Sequence, residues 1–213
     1  MFDKTVYGFS WDEIVKNEIF RQRDKANNND IGYFHQRIFQ YFSGCIIPPS
    51  GWDVIYAKEH GIVSDGDIVS RVYVEMKNKH NTMNSSASER TYKKMQQQIL
   101  ADDDCACLLV EVIARQSQNV PWETTVEGEQ KNHRRIRRVS MDRFYALVTG
   151  LDDAFYQMCM ILPSVIEEAV AGTVAKSVPK DTVMDELSAM AQSEDGSFAL
   201  ALYLLGFSTY SGF

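Results

Sequence analysis

The chain has 213 residues, 45% hydrophobic and 24% charged, which fits one globular domain, or one with an appendage, and excludes a disordered or fibrous polymer. No apolar run approaches the roughly 20 residues of a membrane span, and Met1-Phe2-Asp3-Lys4 lacks the basic-then-apolar layout of a signal peptide, so the cytoplasm is the expected compartment. Net charge is -7, but residues 151–213 hold nine acids against only Lys176 and Lys180, leaving 20 basic and 20 acidic residues in 1–150 and keeping a nucleic-acid partner open.

Ser10-Trp11-Asp12-Glu13 matches a capping box, so a helix is expected from about residue 11 to Lys25, broken at Asn27-Asn28-Asn29-Asp30. Ile31, Phe34, Ile38, Phe39 and Phe42 recur at helical spacing and predict a second helix, ended by Gly44 and Pro48-Pro49-Ser50-Gly51. Two β-favouring runs follow, Trp52 to Tyr56 and Ile68 to Met76, with the Asp65-Gly66 turn signal between them, which predicts a hairpin. After a polar loop from Asn78 to Ser88, residues 89–101 read as a helix rich in Lys and Gln, and Cys105 to Ala114 as a strand covered on both faces. Cys105 and Cys107 would share one face of that strand as packing residues; their spacing is not that of a zinc site.

Residues 115–133 read as irregular, 134–140 as a further strand, and Ser140 as the N-cap of a helix through Leu147 that Gly150 stops. A longer helix from Leu151 to Ala171 is expected, broken or kinked near Pro163, then helices at Asp181 to Gln192 and Ser197 to Leu205. A strand–helix–strand crossover between residues 68 and 114 implies a parallel pair, and the hairpin adds an antiparallel strand. The expected architecture is α/β (α+β): a central mixed sheet flanked by helices, with a helical C-terminal region. The division is 1–170 for the main domain and 171–213 for an extension packed on the core or at a dimer interface.

Asp53 stands within the first hairpin strand, where acids are depleted. In Glu75-Met76-Lys77 the outer two residues project from one face of the second strand. If the hairpin pairs as expected, Asp53 meets them there. Two converging carboxylates repel unless a cation sits between them, and hard oxygen ligands of this kind, with the Met76 carbonyl as an extra donor, suit magnesium. A lysine beside such a site can hold or deprotonate an attacking water while the metal stabilises charge on a phosphate. The bland alternative is a solvated strand edge with a surface ion pair.

Glu75-Met76-Lys77-Asn78-Lys79-His80-Asn81-Thr82 resembles the active-site segment of type II restriction endonucleases of the Eco47II type, GGNCC cutters with the PD-(D/E)xK nuclease fold. The similarity extends to Ile31-Gly32-Tyr33-Phe34-His35-Gln36-Arg37-Ile38, Gly51-Trp52-Asp53-Val54-Ile55, Arg143 to Gly150 and Leu162 to Ile166, spanning residues 31–170. The resemblance implies a homodimer that uses magnesium to cut both strands of duplex DNA at a short, near-palindromic site, leaving 5′-phosphate and 3′-hydroxyl ends. It makes Asp53 and Glu75 metal ligands and Lys77 the water-handling base or charge partner. Many such nucleases carry another carboxylate on the preceding helix; here the polar residue is Gln36, which could assist through hydrogen bonds.

Lys131-Asn132-His133-Arg134-Arg135-Ile136-Arg137-Arg138 places five lysines and arginines in eight positions. It is expected to contact phosphates or guanines rather than serve only as a solvated face balanced by Glu123, Glu127 and Glu129. Lys79, His80 and Asn81 are expected near the scissile phosphate or in a groove, although a plain turn would use similar residues. Lys93, Lys94 and Gln96 to Gln98 could read bases or simply face water. The rival functions are a structure-specific repair or junction nuclease of the same chemistry, and a non-catalytic DNA-binding protein on a nuclease scaffold.

Overall fold

A computed structural model describes residues 7–8, 11–64 and 66–171 of the chain. The helices expected at Asp181 to Gln192 and Ser197 to Leu205, and the capping Ser10, lie outside the described residues. Helix α1 (Trp11–Arg37) leads into a 3-10 turn at Ile38–Tyr41. The expected break at Asn27 to Asp30 is absent, and one helix replaces two. Asparagine and aspartate cost a helix only about 0.7 kcal/mol each relative to alanine, and Asn28 offsets part of that by donating to Asp24 one turn back, at 3.0 Å. These residues weaken the helix without breaking it.

The chain then builds β1 (Cys45–Ile46) and a long hairpin, β2 (Val54–Ser64) with β3 (Asp67–Lys79). The polar stretch expected to separate two short strands is itself strand. A register irregularity between Ala57 and Ile62 absorbs its extra residues. Gly44 has a positive φ of 79° where the backbone passes Ala57, and any Cβ there would strike the Ala57 carbonyl. Helix α2 (Ser85–Ala101) follows, capped by the Asn84 side chain, which accepts from Ala87 N at 2.9 Å.

Strand β4 (Cys105–Ile113) is buried at every position, as its apolar run predicts. The segment after it contains short strands β5 (Asn119–Pro121), β6 (Thr124–Val126) and β7 (Glu129–Lys131). Strand β8 (Ile136–Ser140) runs straight into α3 (Met141–Thr149), which Gly150 ends in the left-handed conformation. Helix α4 (Ala154–Val170) contains Pro163 without being broken by it.

The main sheet has the order β1-β2-β3-β4-β8-β5. Its β1–β2–β3 part is antiparallel, β3–β4–β8 is parallel, and β5 returns antiparallel to β8. The crossover through α2 produces the parallel β3–β4 pair, as the order of elements requires. On one face Val72, Val74, Leu108 and Val110 pack with Phe39, Phe144, Tyr145 and Phe155 from the flanking helices. On the other, Cys107 and Leu109 pack with Tyr92 and Met95 of α2 and with Trp122. Each such fully buried side chain contributes about 1.5–3 kcal/mol, so both faces are firmly anchored and β3 is held between them. Cys105 and Cys107 are buried thiols, donating to the carbonyls of Asp102 (3.0 Å) and Met95 (3.6 Å).

Candidate active site

The hairpin register positions the first carboxylate. Val54 pairs with Val74, which brings Asp53, one residue outward, alongside Val74 to Met76. Asp53 lies just before β2 rather than inside it, but it is fixed as firmly as a strand residue. Its N–H donates to the Val74 carbonyl at 3.0 Å, and its Oδ2 accepts from the Met76 N–H at 2.7 Å. The side chain thus extends the ladder by one rung. A strand residue's N–H and C=O leave along the same edge, so the Met76 carbonyl lies on the Asp53 side.

Alternation along β3 sends Val72, Val74 and Met76 toward one core and Tyr73 toward the other. Glu75 and Lys77 continue the Tyr73 face. Lys77 Nζ donates to Glu75 Oε1 at 2.8 Å. Lys94, from the middle of α2, donates to Glu75 Oε2 at 2.7 Å and also to the Gly51 carbonyl. Gln36, on α1, donates from Nε2 to the Asp53 backbone carbonyl at 3.3 Å. Gln36, Asp53, Glu75, Met76 and Lys77, with Asn28, Tyr33 and Asn78, line a cleft of about 360 Å³.

Electrostatics divide the two carboxylates. Burial raises the Asp53 pKa, the Met76 N–H works against that, and the charge of Glu75 adds to the rise; the net effect is upward. Burial also works to raise Glu75, but hydrogen bonds from Lys77 and Lys94 overcome it and hold Glu75 below the usual glutamate value. The cleft therefore contains one carboxylate secured by two lysines beside another that forms no ion pair among the described residues, although Lys77 and Lys94 partly offset its rise. Hard oxygen donors, one of them destabilised by its neighbour's charge, fit a small divalent cation. No group of three or more His, Cys, Asp or Glu residues converges among the described residues, so protein carboxylates would supply only part of a coordination shell.

Lys79 and Asn81 are exposed at the end of β3. His80 is tied down, its N–H donating to the Ile113 carbonyl at 3.1 Å. The basic run does not form one face, because it straddles β8 and the turn before it. Lys131 pairs with Glu129. Arg134 is 64% exposed while reaching Asp67 at 3.1 Å. Arg135 also binds Asp67, at 3.1 Å, and the Asp103 carbonyl. Arg137 is buried and donates to the Asn119 side chain and backbone carbonyl, both at 2.6 Å. Arg138 donates to Glu111 Oε1 from Nε at 2.9 Å and from Nη2 at 2.5 Å, and to the His80 carbonyl at 2.8 Å. Arg134 and Arg138 line a second, larger groove of about 860 Å³, with His80, Glu111, Arg115 and Trp122 among its other walls.

Two residues, one bonded to the site and one beside it, belong to no motif. Lys94 reaches the site from a helix read as base-reading or solvent-facing. Glu111 sits on β4 directly beside Lys77 in register, and its signal is a lone carboxylate in an otherwise apolar strand.

A sequence model described as the Eco47II restriction endonuclease family matches residues 1–171. The type II restriction enzyme Sau96I of Staphylococcus aureus is 27% identical over 202 residues, covering 91% of this chain and 74% of that protein. The type II restriction enzyme Eco47II of Escherichia coli is 29% identical over 174 residues, covering 75% of this chain and 67% of that protein. No solved structure matches significantly.

Proposed function

Because this chain belongs to the Eco47II restriction endonuclease family, we propose that it is a magnesium-dependent type II site-specific deoxyribonuclease. Its substrate is duplex DNA bearing a short, near-palindromic site of the GGNCC kind, and its products carry 5′-phosphate and 3′-hydroxyl ends. The observation that carries this reading is Asp53 held by the Met76 N–H beside Glu75, with Lys77 bonded to Glu75, in a chain related to proteins named as type II restriction enzymes.

Asp53 and Glu75 would hold magnesium, with the Met76 carbonyl as a third donor; one or two carboxylates suffice because this ion keeps several waters. A bound ion supplies Lewis-acid neutralisation of charge on the phosphate. The chain's own groups do the rest. Lys77, ion-paired with Glu75, takes the role of base or charge partner: as the ammonium it would neutralise charge on the phosphate, and only as the free amine would its lone pair accept the proton of the attacking water. Gln36 fixes the backbone from which Asp53 projects, a supporting role rather than that of a ligand. Lys79, His80 and Asn81, at the end of β3, would orient the scissile phosphate or enter a groove. Lys131, Arg134, Arg135, Arg137 and Arg138 supply the DNA-contacting region, with Arg134 and Arg138 at the larger groove as its working members and the others supporting the loop.

Catalysis and DNA binding are assigned to residues 1–170 and the extension to 171–213. Two copies would act as a homodimer, each cutting one strand. The exposed Tyr156, Ile161, Val165 and Ile166 of α4 support pairing through an apolar surface. No helix among the described residues is long and apolar enough to cross a membrane, and the cytoplasm is the proposed compartment. The test is digestion of a sequenced plasmid by purified protein with and without magnesium, followed by sequencing of the ends. Discrete magnesium-dependent fragments sharing one site are expected. Nicking that follows branched or damaged structure, or binding without cutting by folded protein, would overturn the reading.

A further inference from the structure

Two ammonium groups grip Glu75, and the strand motif contains only one of them. Lys77 takes Oε1 at 2.8 Å; Lys94 takes Oε2 at 2.7 Å. Lys94 has two further anchors: it donates to the carbonyl of Gly51, two residues before Asp53, and lies 4.0 Å from the centroid of the Trp52 ring. Its neighbour Lys93 has other partners, Glu89 at 2.8 Å and Glu127 at 2.7 Å. One side chain of α2 thus joins the strand that carries Glu75 to the loop that carries Asp53.

We propose that Lys94 is a positioning residue of the active site, a brace between the two carboxylate-bearing segments and a resident counter-ion that yields Glu75 Oε2 to an incoming divalent cation. The proposal rests on the nuclease reading. The Gly51 carbonyl and the Trp52 face keep the ammonium in place when Oε2 turns away, so the loop before Asp53 remains fixed while the cation docks. Two opposite consequences follow. The resident charge competes with a divalent cation, so its removal tightens cation binding. It also sets the spacing of Asp53 and Glu75, so its removal slows turnover even when the cation saturates the site.

The experiment compares full-length wild-type protein with Lys94→Gln, Lys94→Arg and Lys93→Gln. Magnesium binding is measured calorimetrically without DNA, and cleavage of a plasmid at saturating magnesium gives kcat and KM. Lys94→Gln should bind magnesium about three- to tenfold more tightly, the effect of deleting one partly screened positive charge that pairs with a proposed ligand. Its kcat should fall about tenfold or more from lost positioning, with KM within about threefold. Lys94→Arg should recover most of the turnover, because a guanidinium can keep both the ion pair and the stacking on Trp52. Lys93→Gln should match wild type. Unchanged magnesium affinity and kcat in Lys94→Gln would overturn the proposal. So would a lower melting temperature with unchanged magnesium affinity, since that marks a merely structural lysine. If wild-type protein fails to cut any DNA, the nuclease reading falls by itself; the magnesium titration then decides whether Lys94 competes at Glu75, and equal affinities overturn it.

Discussion

Replacement of Arg138 by methionine should destabilise the fold more than Glu111→Gln at its partner. Glu111 is 1% exposed, its Oε1 accepts two N–H bonds from Arg138, and its Oε2 has no partner among the described residues. Removing Arg138 leaves a carboxylate inside the sheet with no donor, a situation that costs about 3–5 kcal/mol. The Arg138 side chain is 33% exposed, so water can reach part of the vacated space, and the lower end, about 3 kcal/mol, is the expectation. Against a total stability of roughly 5–15 kcal/mol that is a large fraction. Glu111→Gln keeps an acceptor for Arg138 and removes the buried charge, so it should cost only about 1–2 kcal/mol. The double replacement Glu111→Leu with Arg138→Met trades the pair for apolar groups of similar volume and should cost less than Arg138→Met alone. Equilibrium urea unfolding at neutral pH, without DNA or metal, measures all three. If Arg138→Met costs no more than Glu111→Gln, or the double variant is the least stable of the set, the argument from an uncompensated buried carboxylate is refuted.

Asp53→Asn preserves the acceptor for the Met76 N–H but removes a charge that burial and Glu75 both disfavour. Because the raised pKa means the ionised form is destabilised by folding, the variant should melt above wild type while losing DNA cleavage; a lower melting temperature, or retained cleavage, contradicts that. Arg134→Ala, at an exposed groove residue, should weaken DNA binding and reduce the slope of log K against log salt by about 1, whereas Arg135→Ala should mainly lower stability through the lost Asp67 and Asp103 contacts. An unchanged slope in Arg134→Ala would return that arginine to the solvated surface. Burial holds His35 down to about 4 from 6.5. The unfolded chain therefore takes up a proton that the folded chain refuses: the stabilising contribution is complete above 6.5 and is lost as pH falls toward about 4, by roughly 3 kcal/mol in all. Urea midpoints across that window should fall more steeply for wild type than for His35→Gln; equal slopes would show that His35 does not carry the linkage.

The elements that the sequence predicts well are those with strong local signals. Cys105 to Ala114 is apolar at nearly every position and becomes the buried β4; Gly150 stops α3 because it supplies a left-handed φ of 78° without a Cβ clash. The misread elements have weak or misleading local signals. Asn27 to Asp30 suggests a break, but modest propensity costs are overcome once the 3-10 turn that follows the helix packs Phe39 against Phe144 and Tyr145. Pro163 lies within α4 for a related reason: proline removes one hydrogen bond and bends a helix, but buried Phe155, Cys159 and Leu162 keep the helix docked. The inter-strand stretch of the hairpin reads as loop because Lys58 to Gly61 lacks alternation, and a bulge is the feature that a period-two pattern cannot express.

The site itself is legible where it runs along one strand and hidden where it depends on tertiary convergence. Glu75 and Lys77 follow from alternation alone, and Asp53 from the improbability of an acid at a strand position, to which the Val54–Val74 register then gives a partner. No spacing rule connects Lys94 to Glu75, 19 residues apart on different elements; the link exists only because the β3–α2–β4 crossover lays α2 over the Glu75 face. Gln36 is likewise delivered by α1 to the Asp53 carbonyl, a backbone atom whose exposure no side-chain pattern reports. Glu111 differs from these, because the reasoning that isolates Asp53 applies to it unchanged. An ionisable group in an all-buried strand must find a counter-charge or lose its own, and Arg138, two residues from the end of the neighbouring strand, is the counter-charge it finds. A strand-borne acid therefore marks either the chemistry or the scaffold around it. Here the two lie on adjacent strands, Glu111 in register with Lys77, so an arginine expected to meet DNA is also needed to keep the wall beside the catalytic strand electrically neutral.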